Sequence, residues 1–372
     1  MLTKIDIIGR ALKLGFADAG FTTVEPFAAQ RDVLRERQEL YAWAGLKGLD
    51  LMQGTEPGVV CPQAKTIVVL LENYFKEGFP AEMVGKFGRQ YLDDDRMTKD
   101  RLFLRLQAFR TFLQEDGIES TVLRNLPHRL AAARAGLGTF GKNCLLFANR
   151  AVRQGSWVTA HAILIDHAFE PDVSTMEVGC PDWCRNACIT ACPTRALLGP
   201  RKIDPRRCIS YLTYYGEGIT PLELREPMGM WVYGCDHCQN VCPRNQPWLA
   251  QALPVNEKVA AMVPDFALER LLHMDLAHFE ARVRPHMFYM PPQEMWRWQM
   301  NAARAMGNSR DTAFVPDLAR ALRENTDERV KGMAAWALGR VGGPGAKQAL
   351  ETACNQKGGL VAHEIREALE QL

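Results

Sequence analysis

Hydrophobic and polar positions in the first 170 residues switch between a helical period and a strand period. In MLTKIDIIGRALKLGFADAG the apolar residues recur at helical spacing over 5–14, which predicts an amphipathic helix, then a turn at 15–20 and a short strand near 21–24. TIVVLLENY (66–74) is a continuous apolar run rich in β-branched residues and of strand length, as a strand buried on both faces would be. Residues 97–116 have helical spacing, and STVLRNL (120–126) reads as a further strand. A helical RLAAARAG follows, then a glycine-rich turn, CLLFANR, and the strand-like SWVTAHAILI. Helices interleaved with apolar strands over 1–171 predict an α/β domain.

Over 172–247 the character changes to cysteine, proline and short turns. Such a segment has little to bury, so its fold is expected to depend on bound metal. Residues 248–298 are expected to be a helical connector, and 299–372 carry a repeat. NAARAMGN (301–308) returns as GMAAWALGR (332–340), so that Ala302 matches Ala334 and Gly307 matches Gly339. A partial third copy, VAHEIREALEQL, places Ala368–Leu369 where Ala337–Leu338 stood. A period of about 30 residues with small residues inside helices predicts stacked helix pairs of the HEAT type.

Composition narrows the class but not the chemistry. The chain has 372 residues, 47% hydrophobic and 24% charged, with a formal charge of +2, as expected of a soluble multidomain protein. The N-terminus lacks a signal-peptide pattern and no apolar run spans a bilayer, so a cytoplasmic protein with no membrane partner and reduced thiols is expected. That expectation changes the meaning of 11 cysteines. Cys61, Cys144 and Cys354 are scattered and read as small buried apolar residues. The others crowd between Cys180 and Cys242, as metal ligands do.

Their pattern is C-x3-C-x3-C-x3-C-P, then Cys208, then C-x2-C-x3-C-P. Structural zinc would use paired C-x2-C hooks, of which Cys235/Cys238 is the one example. Two Cys-Pro endings favour a pair of [4Fe–4S] clusters in a ferredoxin-like segment, in which the cysteine before each proline crosses to the other cluster. One cluster would take Cys180, Cys184, Cys188 and Cys242; the other would take Cys192, Cys208, Cys235 and Cys238. From 120 to 165 there is no Asp or Glu, whereas Arg124, Arg129, Arg134, Lys142, Arg150 and Arg153 are basic. This one-sign run fits either an anion-binding surface or a solvated basic face.

AGLGTFGKNCLL (135–146), ACPTRAL, DPRRCISYLTYY (204–215) and YGCDHCQNVCPRN (233–245) resemble the epoxyqueuosine reductase family, as do GFADAGF, WAGLKGLDLM and CPQAKTIVVLLENY. The resemblance covers nearly the whole chain. It implies an oxidoreductase related to reductive dehalogenases, in which the two clusters feed a cobalamin held by the N-terminal domain. In that family the reduced cofactor removes the epoxide oxygen of epoxyqueuosine in tRNA. It further implies an electron donor of flavodoxin or ferredoxin type, and corrinoid contacts at Gly136, Gly138, Gly141, Lys142, Asn143 and Ser156.

One departure bears on the substrate. Anchored on Pro127, the family's proton-donating aspartate falls on Arg124, and an Asp-Tyr-His stretch upstream becomes Asp95-Arg96-Met97. Arginine stays protonated and does not act as the acid; it pairs with anions instead. Asp95 and His128 are the candidate substitutes. The resemblance thus leads to a reductase with an altered pocket, or alternatively to an electron-transfer or corrinoid-handling protein without epoxyqueuosine reductase activity.

Overall fold

The computed structural model describes residues 1–95, 97–175, 177, 179–287, 289–354 and 358–372. Arg96 of the upstream stretch lies outside them. Among the described residues six strands lie in the N-terminal region: β1 (Asp18–Thr23), β2 (Thr66–Asn73), β3 (Ser120–Thr121), β4 (Gly138–Phe140), β5 (Leu146–Ala148) and β6 (Val158–Ile165). Four of them form one antiparallel sheet in the order β1-β2-β6-β3, with Phe21 opposite Val68 and Val69 opposite Ala162.

The period of two sorts the apolar run of β2 onto both faces. Val68 and Leu70, with Ile163 and Ile165, pack beneath helices Lys4–Lys13 and Arg101–Glu115. Ile67, Val69 and Leu71, with Ala162 and Leu164, pack on the other side against Ala131–Ala133 of helix His128–Arg134. Both faces are therefore dry, which is why β2 reads as unbroken rather than alternating.

Three local expectations shift. The expected strand over 120–126 pairs only at Ser120–Thr121, because the chain then turns to enter helix His128–Arg134 behind Pro127. The glycine-rich turn is the start of a hairpin, with Thr139 opposite Phe147. The helix expected from 97 begins at Arg101, where the Asp95 carboxylate accepts the Leu102 N–H at 2.6 Å. The scattered cysteines also differ: Cys61 is buried, Cys144 is half-buried, and Cys354, which caps the solvent end of helix Pro344–Ala353, is exposed.

The cysteine segment builds more core than its composition promised. Ile209, Tyr211, Leu212, Leu224, Met228 and Trp231 form a small apolar cluster of their own. Val232 and Tyr233 join a larger core that runs on through Leu271, Trp298 and Ala337 to Ala368. Helix Trp296–Ser309 crosses the expected 298/299 boundary, so connector and repeat share one interior.

Five helices make the C-terminal stack: Trp296–Ser309, Val315–Glu324, Glu328–Val341, Pro344–Ala353 and Gly359–Glu370. The repeated small residues are its contact points. A Cβ on Gly307 would lie 2.8 Å from the Ala337 Cα, and one on Gly339 would lie 2.8 Å from the Ala368 Cβ. Helix axes can approach this closely only without that atom. Gly339→Val is therefore expected to cost about 1–3 kcal/mol by overpacking, read as a lower urea midpoint by circular dichroism; an unchanged midpoint would remove this account of the repeat.

Candidate metal centre

Two short motifs build the centre in the same way. Helix Ala187–Thr190 carries Cys188 and helix His237–Asn240 carries Cys238, and the two pack on each other. Each is a single turn and each stops at a cysteine followed by proline, because proline pushes its predecessor out of the helical region; Cys242 sits at φ −74, ψ 125. The turns match bond for bond. Cys192 N–H donates to Ile189 O and Arg195 N–H to Cys192 O; Cys242 N–H donates to Gln239 O and Asn245 N–H to Cys242 O. Upstream, Cys180 and Cys184 lie on irregular chain, and Asn186 takes a left-handed conformation (φ 60). The even spacing of the first four cysteines is thus a loop and one turn, not one face of a helix.

All of these thiols are free, and electrostatically they form two sets. Burial first, then the thiols of Cys180, Cys184 and Cys242, push the Cys188 thiol up to about 11. Cys242 is raised by burial and then by Cys180 and Cys184. Cys208 is raised by burial with Cys192 nearby, and Cys235 by burial with Cys208 and Cys238 nearby. Cys238 is raised by burial and feels Cys208, Cys192 and, across the boundary between the sets, Cys188. The two sets therefore lie side by side. The all-thiol donor sets fit two iron–sulfur cubanes.

Backbone amides are already aimed at the sulfurs. Lys142 N–H donates to Cys180 Sγ at 3.3 Å, Ala196 N–H to Cys192 Sγ at 3.3 Å and His237 N–H to Cys235 Sγ at 3.4 Å. Such bonds stabilise negative charge on a thiolate ligand and tune a cluster's potential.

Side chains that sequence reading passed over hold the second set against the sheet domain. Arg89 donates to Asp236 Oδ2 at 3.0 Å and to Asn240 Oδ1 at 2.8 Å, with its guanidinium over the Phe75 and Trp157 rings. Burial pulls the Asp236 carboxyl up and Arg89 opposes it. Asn245, fully buried, accepts the Ser156 N–H and donates to Ser156 Oγ and Gln239 O. Tyr91, Tyr214, Tyr233 and Tyr289 close the far side ring against ring, and the Tyr91 and Tyr214 hydroxyls are 3.4 Å apart. Burial raises both of these hydroxyls and the Cys208 thiol adds to it. The signal in the sequence was the amide pair of CDHCQN and the asparagine of CPRN, polar residues with no role in ligation.

The residues expected to contact a corrinoid lie on this same seam. Gly136 (φ 71) lets the chain pass Val173, whose carbonyl would be 2.4 Å from an added Cβ, and Gly138 and Gly141 sit against Phe147. Lys142 Nζ donates to Cys184 O and Asn186 Oδ1; Asn143 donates to Cys238 O; Ser156 Oγ meets Gln239 and Asn245. These polar atoms are engaged with the cysteine segment. Two surface clefts, of about 310 and 160 Å³, lie elsewhere, one lined by Arg10 and Phe112 and the other by His273 and Arg320.

The three candidate catalytic residues stand in different settings. Arg124 is exposed on the turn before helix His128–Arg134. Asp95 is 2% exposed and caps a helix, and burial raises its carboxyl. His128 Nδ1 accepts the Ala162 N–H at 2.9 Å and so anchors the helix to β6.

Known proteins share this arrangement. Residues 181–245 match the 4Fe-4S double cluster binding domain, and 294–370 match HEAT repeats. The epoxyqueuosine reductase of Bacillus cereus is 30% identical over 99% of this chain and 97% of its own length. That of Bacillus subtilis is 30% identical over 95% and 92%. The solved structure of the Bacillus subtilis epoxyqueuosine reductase, with its catalytic aspartate loop swung out of the active site, superposes with a TM-score of 0.83 at 28% identity, covering 99% of this chain and 98% of that one. An epoxyqueuosine reductase crystallised with an epoxyqueuosine-modified tRNA-Tyr stem loop gives a TM-score of 0.81 at 28% identity, with the same coverage. No helix of the described residues is long and apolar enough to cross a membrane.

Proposed function

Because the chain belongs to the epoxyqueuosine reductase family, we propose that it is a two-cluster reductase acting on an anion-bearing substrate other than epoxyqueuosine. In this reading Cys180, Cys184, Cys188 and Cys242 hold an outer [4Fe–4S] cluster, and Cys192, Cys208, Cys235 and Cys238 hold an inner one. The inner thiols abut Asp236, Gln239, Tyr91 and Tyr233, all deeply placed, whereas the outer loop runs through exposed Asp182, Trp183 and Arg185. Family membership supports a cobalamin on the N-terminal domain, where it would supply the low-potential centre that reduces the substrate. Gly136, Gly138, Gly141, Lys142, Asn143 and Ser156 are the residues proposed to line the corrinoid, at the seam where Lys142, Asn143 and Ser156 also seat the cysteine segment.

The observation that carries the substrate assignment is Arg124, an exposed side chain at the position where the resemblance expects the acid. Arginine is a permanent cation, whereas Asp95 holds a helix end through Oδ2 and His128 holds a strand through Nδ1. A positioned acid is worth about 10²–10⁴-fold, so epoxide opening without one is slow. Arg124 instead offers a fork for a carboxylate or phosphate.

The test is anaerobic reconstitution, cobalamin titration followed by visible absorption, and direct assay of epoxyqueuosine-modified tRNA. About eight irons per chain, a cobalamin spectral shift and no queuosine product are expected. Conversion at an ordinary enzymatic rate, about 1 s⁻¹ or more, would establish the second reading, a retained epoxyqueuosine reductase. That reading is favoured by the tRNA stem-loop complex of the relative and by the acid-free basic run over 120–165.

A further inference from the structure

Helix Trp296–Ser309, the first of the C-terminal stack, carries buried polar side chains where a stacked helix needs only apolar ones. Asn301, Arg304 and Asn308 recur at helical spacing along one face, and Asn301 and Arg304 are fully buried. Their donors go to backbone carbonyls of the cysteine segment. Asn308 Nδ2 donates to Arg225 O and Gly229 O, each at 2.8 Å. Arg304 Nη1 donates to Gly229 O at 2.7 Å and Nη2 to Trp231 O. Burial pulls the Arg304 guanidinium down to about 9, so the cation persists at neutral pH. A buried cation facing neutral carbonyls is costly, and an apolar residue of similar volume would pack the stack at less cost. The stack's own stability therefore does not account for it.

Asn301 shows what the polar face holds. Its one nitrogen donates to Thr213 O at 2.8 Å and to Val232 O at 3.0 Å, while its Oδ1 has no partner among the described residues. Thr213 lies in the short helix Ile209–Tyr214, whose first cap is Cys208. Val232 leads through Gly234 to Cys235. A single amide thus bridges the two limbs that carry Cys208 and Cys235. The limbs also meet directly, where the Gly234 N–H donates to Thr213 Oγ1 at 3.0 Å. Gly234 has φ 71, and an added Cβ would lie 2.4 Å from the Tyr91 ring, so the approach to Cys235 is confined. Both cysteines pack against the same small apolar cluster, to which Trp231 belongs.

We propose that Asn301 and Arg304 are positioning residues for the inner cluster, through which the first helix of the repeat stack fixes the span between Cys208 and Cys235. The proposal rests on the two-cluster reading above and gives the stack a part in holding the cofactor. Asn301 ties one limb to the other, and the Arg304 fork pins the turn from Gly229 to Trp231 that feeds the Cys235 limb. Partners that orient metal ligands without touching the metal change its affinity and electronic properties when they are removed.

Iron release to a chelator from the anaerobically reconstituted full-length protein tests this, alongside electron paramagnetic resonance of the dithionite-reduced state. The inner cluster is identified by the signal lost in Cys238→Ala. Asn301→Leu and Arg304→Met are each expected to release the inner cluster's iron about tenfold faster than wild type and to change the shape of the inner signal. The outer cluster should keep its rate and its signal. Gly339→Val, which crowds the stack at Ala368 and touches neither limb, should leave both clusters as in wild type. Wild-type release and spectra in both Asn301→Leu and Arg304→Met overturn the proposal. So does the same effect in Gly339→Val, which would reduce it to a general loosening of the stack. Failure of the underlying reading looks different: the wild-type protein would itself hold fewer than about eight irons.

Discussion

Cys192→Ala is expected to extinguish the inner cluster, although Cys192 belongs by sequence to the outer motif. The reason is the turn at Cys192-Pro193. Helix Ala187–Thr190 ends there, the Cys192 sulfur accepts the Ala196 N–H, and Cys192 adds to the electrostatics of Cys208 and Cys238. Iron should fall from about eight to about four per chain, or slightly more if a three-iron remnant persists. Reductase activity should vanish, since the proposed electron path needs both clusters. The discriminating measurement is the electron paramagnetic resonance of the reduced protein. The signal left in Cys192→Ala should match that left in Cys238→Ala and differ from that left in Cys188→Ala. A match to Cys188→Ala would show local ligation and sink the crossed assignment.

Glu364→Ala is expected to be the most damaging substitution away from the cysteines. Glu364, on the last helix, takes both guanidinium nitrogens of Arg225 at 2.6 Å, and the two residues are 6% and 3% exposed. Arg225 also donates to Thr220 O and stands over the Trp336 ring. Deleting the carboxylate strands a cation in the interior, at about 3–5 kcal/mol, a large share of the roughly 5–15 kcal/mol that holds a domain folded. Arg225 lies between Cys208 and Cys235, so the cluster absorbance should bleach at a lower urea concentration along with the helical signal. Arg225→Met/Glu364→Leu should recover much of the loss, because an apolar pair carries no desolvation penalty. A loss below about 1 kcal/mol in Glu364→Ala would mean that water reaches the pair.

The α/β region, the two-cluster segment and the terminal repeat were legible because each rests on a local rule. TIVVLLENY could only be a strand dry on both faces, and its two-sided packing followed. Gly307 and Gly339 announced close helix contacts, which the chain makes at Ala337 and Ala368. Cys-Pro marked two turns with the same hydrogen bonds. The misread elements were those whose conformation depends on distant partners. The strand expected over 120–126 gave way to a turn, and the glycine-rich stretch became a hairpin clamped on the cysteine segment.

The candidate site divides along the same line. By itself the sequence determined which atoms can bind metal, because the identity and spacing of side chains are properties of the chain. Only the tertiary structure decided which backbone amides meet the sulfurs, as Lys142 N–H does at Cys180 and Ala196 N–H at Cys192. It also decided that Asp95 Oδ2 holds a helix end and His128 Nδ1 a strand, that Asn143 and Ser156 face the cluster segment, and that Arg89 and Asn245 join the two regions. Covalent order sets what a residue can do, whereas proximity across more than a hundred residues, and the loss of water that comes with it, sets what it does.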